Sequence, residues 1–164
     1  MENQNAGTSV QQKDMGGKYL TFSLGTQEFG VPILTVKEII GLLPITQIPQ
    51  APAFVRGMVN LRGSVIPVVE LRKKFQMESV EDTEQTCIIV VQTKGANELG
   101  MVVDQVSEVL DIPGTEVVEP VTLGGEIRTD YILGIGKSQG RVTMLLDLIS
   151  IFPPGQLDDL DLVA

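Results

Sequence analysis

The sequence contains no histidine, no tryptophan, a single cysteine and few aromatic residues, 2 Tyr and 5 Phe. The missing histidine removes a Ser–His–Asp arrangement, His-liganded metal sites and any phosphohistidine role. Cys87 alone cannot form an internal disulfide or a thiolate zinc site, and no histidine is present to activate it as a nucleophile. Its setting, Thr86-Cys87-Ile88-Ile89-Val90-Val91, is that of a small buried hydrophobe. Positive charge is also scarce. With 12 Lys+Arg against 21 Asp+Glu the net charge is −9, which argues against binding a nucleic-acid backbone. The one basic cluster, Arg72-Lys73-Lys74, reads as a solvated helix face. No long apolar run is present either. The uncharged stretch from Ile39 to Val55 is broken by Pro44, Pro49, Pro52, Gln47 and Gln50 and falls short of the ~20 residues a membrane span requires. No signal peptide is expected, because Glu2 stands where a basic segment would precede an apolar core. Gly136-Lys137-Ser138 ends like a phosphate-binding loop, but the first glycine of that loop would fall at Tyr131. The expectation is a soluble cytoplasmic protein without catalytic residues, metal, cofactor or direct membrane insertion.

What is present is an ordinary globular composition, 43% apolar and 20% charged, in 164 residues. That length suits one domain, or two very small ones sharing a core. The chain also repeats itself. Residues 55–75, VRGMVNLRGSVIPVVELRKKF, align without a gap on residues 132–152, ILGIGKSQGRVTMLLDLISIF, at an offset of 77. Gly57, Gly63, Val65, Leu71 and Phe75 meet Gly134, Gly140, Val142, Leu148 and Phe152. Upstream, Gly30-Val31-Pro32-Ile33 and Val36-Lys37-Glu38-Ile39-Ile40 meet Gly100-Met101-Val102-Val103 and Val106-Ser107-Glu108-Val109-Leu110 at an offset of 70.

The repeated unit reads mostly as strand. β-formers fill Tyr19 to Leu24, Gly25-Thr26 makes a turn, and Glu28 to Ile33 follows. A short helix or turn is predicted over Thr35 to Ile40, with Val36, Ile39 and Ile40 on one side. Ile45 to Ile48 alternates like a half-buried strand. Met58–Leu61 and Val65–Val69 form a hairpin around Arg62-Gly63-Ser64, and a short helix runs from Glu70 to Phe75. The second half predicts strands near 86–92, 98–103, 130–136 and 140–146. Short strands with glycine turns point to an all-β protein of two similar five-stranded barrels with a groove between them. The barrels are expected at roughly 18–75 and 86–152, with strand exchange left open. Residues 1–17 are read as a disordered tail, Gln76 to Gln85 as a solvated acidic linker, and 153–164 as an acidic C-terminal tail.

Residues common to the two halves serve the fold, and those that differ are candidates for function. The departures are Arg56 against Leu133, Asn60 against Lys137, and Arg62 against Gln139. Arg62 is therefore not required by the hairpin. Its side chain is expected to meet the Glu38 carboxylate, or to share it with a docked partner helix, a pairing expected in one half only because Gln139 replaces it in the other.

Asn60-Leu61-Arg62-Gly63, followed by Val65-Ile66-Pro67-Val68-Val69-Glu70-Leu71-Arg72, resembles the bacterial chemotaxis coupling family CheW. So do Val36-Lys37-Glu38-Ile39, Pro52-Ala53-Phe54-Val55-Arg56-Gly57 and Gly100-Met101-Val102-Val103-Asp104. The similarity extends from about Lys18 to Phe152. It implies two SH3-like five-stranded barrels and a non-enzymatic adaptor between chemoreceptors and the histidine kinase CheA, recruited to membrane receptor arrays. It further implies that a receptor helical hairpin docks on Ile33, Val36, Glu38, Ile39, Gly57, Met58, Asn60, Arg62 and Gly63. Contacts to the kinase regulatory domain would carry over to Val118, Thr122 and Leu123. The rival reading is a stand-alone SH3-like peptide-binding module in another two-component system. It would need an aromatic groove for a polyproline ligand.

Overall fold

The computed structural model describes residues 16–93, 97–119 and 129–153. The expected tails lie outside these residues except for Gly16, Gly17 and Pro153; Gly17 already belongs to the first strand. In chain order the strands are β1 (Gly17–Leu24), β2 (Gln27–Pro32), β3 (Val36–Gly41), β4 (Val55–Leu61), β5 (Ser64–Glu70), β6 (Cys87–Gln92), β7 (Glu98–Val103), β8 (Gln105–Ile112), β9 (Val117–Val118), β10 (Ile132–Ser138) and β11 (Arg141–Leu146). Single-turn helices α1 (Leu71–Lys74) and α2 (Leu148–Ile151) follow β5 and β11.

The strands form two sheets, ordered β8-β1-β2-β11-β10-β9 and β3-β6-β7-β5-β4, which fit two SH3-like barrels. The first gains a sixth member only through the two-residue β9. Sheet membership cuts across the two halves. The stretch from β3 to β7 builds the second sheet by itself, whereas β1 and β2 join β8 to β11 to build the first. Two crossovers result, one at the 3-10 turn Ile33–Thr35 between β2 and β3, the other at Asp104 between β7 and β8.

The repeat is visible in detail. Both hairpins turn on two residues of positive φ, Arg62 (52°) with Gly63 (86°) and Gln139 (56°) with Gly140 (76°), as type I′ turns do. Each hairpin has the same register shift near its start, between Val55 and Gly57 and between Ile132 and Gly134. The parallel ladders β5–β7 and β2–β11 also correspond, with Val68 opposite Gly100 and Leu145 opposite Gly30. Gly57 has a steric reason: a Cβ there would lie 2.3 Å from the Thr46 carbonyl oxygen.

The largest hydrophobic cluster belongs to neither sheet alone. It joins Phe22, Phe29 and Val31 of the first sheet to Val69, Ile89 and Met101 of the second, with Leu71, Phe75, Leu148 and Phe152. Smaller clusters fill each barrel, around Val59, Ile66 and Ile88 in one and around Tyr19, Ile112 and Leu145 in the other. The rings of the repeat cross over: Phe54 packs on Phe152 at 6.2 Å and Phe75 on Tyr131 at 6.0 Å, each pair joining one half to the other.

Several sequence expectations need correction. The predicted helix over Thr35 to Ile40 is the end of a 3-10 turn followed by strand β3. The β-branched Val36, Ile39 and Ile40 favour extended backbone, and antiparallel pairing with β6 overrides their helical spacing. Ile45 to Ile48 contributes only the bridge Thr46–Met58, because the flanking Pro44 and Pro49 cannot donate to a ladder. The Arg72-Lys73-Lys74 cluster is not a uniformly solvated face. The Arg72 side chain is 12% exposed and bound to Asp104, and Lys74 Nζ sits 4.2 Å from the centre of the Phe54 ring. The acidic linker is exposed to solvent from Glu78 to Gln85, as expected, but it is tethered, since Arg56 pairs with Asp82 and Arg72 donates to the Glu78 carbonyl.

Candidate functional site

The expected receptor-binding residues come together on the two border strands of the second sheet, β3 and β4, and on the connections beside them. Ile33 opens the 3-10 turn and, with Val36, packs against the central core. Along β3, Val36, Glu38 and Ile40 are half-buried, whereas Lys37 and Ile39 are exposed. On β4, Gly57 is buried, Met58 is half-buried and bridged to Thr46, and Asn60 is exposed. Asn60 Oδ1 accepts the Gly63 N–H at 2.9 Å and so steadies the turn. Gly57, Asn60 and Gly63 thus have jobs in the fold, and Ile39 and Arg62 are the members most open to a partner.

Arg62 reaches back across the seam of the barrel. Its Nη2 donates to Glu38 Oε2, tying the turn after β4 to β3 at the opposite border of the sheet. The Arg62 side chain is nevertheless 70% exposed, against 26% for Glu38. The carboxylate is anchored in the strand, and much of the guanidinium remains open to solvent.

The other barrel has its own arginine clamp, contrary to the expectation of a pair in one half only. Arg141, at the start of β11, donates to Glu108 on β8 and to Glu28 on β2, the latter at 2.6 Å. Those two carboxylates raise its pKa, Glu28 first, so it stays charged. Its repeat mate is Ser64, two residues beyond Arg62, so a position-by-position comparison with Gln139 misses it. Arg141 is engaged by two acids, whereas Arg62 is held by one.

Asp104 makes a third clamp. It accepts Arg72 Nε at 2.9 Å and Nη2 at 2.6 Å, and also the Gly25 N–H at 2.8 Å. The Arg72 hydrogen bond is the main reason its carboxyl titrates below the ordinary range. Burial pushes the Cys87 thiol up, in keeping with an unreactive side chain.

Arg56 also has a structural explanation: it lies between Asp82 and Glu70 and pins the acidic linker. Beside it a depression of about 650 Å³ is lined by Gln47, Pro52, Lys73 and Val80 among others, but by none of the expected receptor residues. Of the expected kinase contacts, Val118 is 40% exposed on β9, while Thr122 and Leu123 lie outside the described residues. Every Phe and Tyr is buried in a core cluster or packed against one, which leaves no aromatic groove for a polyproline ligand. Among the described residues no cluster of acids and cysteine could hold a metal, and no helix is long and apolar enough to cross a membrane.

Two interlocked SH3-like barrels sharing one core, with clamped charges at their seams, define a small β scaffold. The CheW-like domain family matches residues 18–154, and the chain belongs to that family. The chemotaxis protein CheW of Rhizobium meliloti is 36% identical over 138 residues, 84% of this chain and 88% of that protein. CheW of Klebsiella aerogenes is 34% identical over 150 residues, 92% of this chain and 90% of that protein. The crystal structure of the scaffolding protein TtCheW from Thermoanaerobacter tengcongensis superposes with a TM-score of 0.79 at 31% identity, covering 89% of this chain and 94% of that one. The family is one of non-enzymatic chemotaxis scaffolds.

Proposed function

We propose that the protein couples chemoreceptors to the histidine kinase CheA in membrane receptor arrays. The receptor's helical tip docks on the face made by β3, β4 and the Arg62-Gly63 turn. The kinase regulatory domain docks elsewhere on the barrels, with Val118 and the Thr122-Leu123 segment as the candidate surface. The observation that carries this reading is Arg62. It is absent from the repeat mate of its hairpin, held in place by Glu38, and still largely open to a partner. A planar guanidinium beside exposed Ile39 can orient a helix through a carboxylate while apolar contact holds it.

The test is reconstitution of membranes bearing receptor with CheA and this protein. CheA autophosphorylation should become receptor-controlled only when the protein is added, and the protein alone should phosphorylate nothing. Kinase control that is indifferent to its addition, or absence of binding to both partners, overturns the reading.

A further inference from the structure

Two arginines stand where the other half of the repeat is apolar, Arg56 against Leu133 and Arg72 against Ile149. Both reach the same acidic segment, residues 78–82 between α1 and β6. In β4 the register shifts between Val55 and Gly57, which leaves Arg56 out of the ladder as the extra residue of a bulge. Such a bulge re-aims its side chain. Here Arg56 Nη1 donates to Asp82 Oδ1 at 3.2 Å and Nη2 donates to Oδ2, while Glu70 supports the guanidinium at 3.7 Å. Arg72 Nη1 donates to the Glu78 carbonyl at 2.8 Å, and its other nitrogens hold Asp104 at the β7–β8 crossover. Apolar burial adds little: residues 78–85 are exposed, and Val80, the one apolar side chain among them, is 54% exposed. A chamber of about 10 Å³, close to the room one water needs, lies among Arg56, Glu70, Arg72 and Asp104. Val80, Glu81 and Asp82 line both this chamber and the depression of about 650 Å³, so the two spaces meet at the acidic segment.

We propose that residues 78–82 form a releasable strap. Closed, it fastens the bulge of β4 to the Arg72–Asp104 clamp at the crossover. Open, it frees both and merges the chamber with the depression. A segment held by a few charged contacts over little buried apolar surface opens locally at low cost while the core stays folded. Salt screens those contacts and favours the open strap. Arg56 directly precedes Gly57 and Met58, two of the expected docking residues. A partner that fixes β4 therefore favours the closed strap, and by linkage a closed strap favours that partner. This last step rests on the receptor-docking reading above, whereas the strap itself does not.

Native-state cleavage by a glutamyl endopeptidase supplies the test. Glu78, Glu81 and Glu84 lie in the exposed segment, and cutting there, mapped by mass spectrometry, follows the open fraction. Arg56→Gln and Asp82→Asn should be cut about 3–10-fold faster than the unaltered protein, with melting little changed. Lys73→Gln removes a positive charge from the same depression without removing a tether, and should be cut at the unaltered rate. Raising salt from about 0.02 M to about 0.5 M should speed cutting of the unaltered protein but not of Arg56→Gln. A saturating receptor cytoplasmic-tip fragment should slow cutting of the unaltered protein and leave Arg56→Gln little affected. Equal rates for the two tether variants and the unaltered protein overturn the strap. So does an unaltered protein cut as fast as a free peptide of residues 76–86. A fragment that binds without slowing the cut overturns the linkage to β4. A fragment that does not bind overturns the docking reading, and the variant rates still decide the strap.

Discussion

Replacing Arg62 by glycine removes the guanidinium and at the same time relaxes the backbone, so the variant separates what the residue does for the fold from what it does for a partner. Its φ of 52° lies in the left-handed region, where a non-glycine residue costs about 1–2 kcal/mol. Glycine removes that strain but adds about 0.5–1 kcal/mol of chain entropy to the unfolded state. The lost ion pair counts for little, because the Arg62 side chain is 70% exposed and such pairs contribute about 0–1 kcal/mol. These effects nearly cancel. Arg62→Gly should therefore change stability by no more than about 1 kcal/mol, a melting shift within about 2–4 °C for a chain of this size. Arg62→Ala keeps the backbone strain, loses the pair and should be slightly less stable. Receptor affinity should behave differently. A desolvated charge contact is worth about 2–5 kcal/mol, roughly a 30-fold to several-thousand-fold loss in both variants, and Arg62→Lys should recover little because an ammonium lacks the planar fork. Calorimetric titration of the tip fragment and thermal melts of the three variants decide the matter. Unchanged affinity in both Ala and Gly variants refutes the role. A melting drop of about 10 °C in Arg62→Gly would show that the seam pair is structural.

Three further outcomes concern the scaffold. Arg72 holds the folded-state pKa of Asp104 down, so the clamp contributes stability above the unfolded carboxylate value of about 3.9 and loses it as pH falls through the lower folded value. Asp104→Asn should cost about 1–3 kcal/mol near neutral pH and lack that acid-side decline, as urea midpoints between about pH 6 and pH 2 will show. Gly57→Ala forces a Cβ to 2.3 Å from the Thr46 carbonyl oxygen and 2.6 Å from Ile45 Cγ2, so it should destabilise by about 1–3 kcal/mol in denaturant titrations before any partner is added. Arg141→Ala leaves Glu28 and Glu108 without their shared cation and should cost about 1–3 kcal/mol, as urea midpoints near neutral pH will show.

The sequence alone was enough for the hairpins, their glycine turns and the repeat. These depend on local backbone demands and on burial patterns that recur at fixed spacing, as in Arg62-Gly63 against Gln139-Gly140. The absence of histidine narrowed the function for a similar reason, because residue types limit chemistry before any fold is known, whereas the NLRG segment did so only through the family it resembles. The pairing of Arg62 with Glu38 was also legible, because Arg62 stood out against its repeat mate. Which strands share a sheet was decided only in three dimensions. Nothing local distinguishes β1 and β2 pairing with β8 and β11 from pairing within their own half, and the shared core of Phe22, Phe29, Phe75 and Met101 forms only after that exchange. The same holds for strand β3, whose helical spacing yields to β6, and for Arg141, which finds Glu108 across 33 residues and Glu28 across 113. The clamp at the β7–β8 crossover also belongs to the tertiary structure, because only the folded β5–β7 ladder brings Arg72 to Asp104.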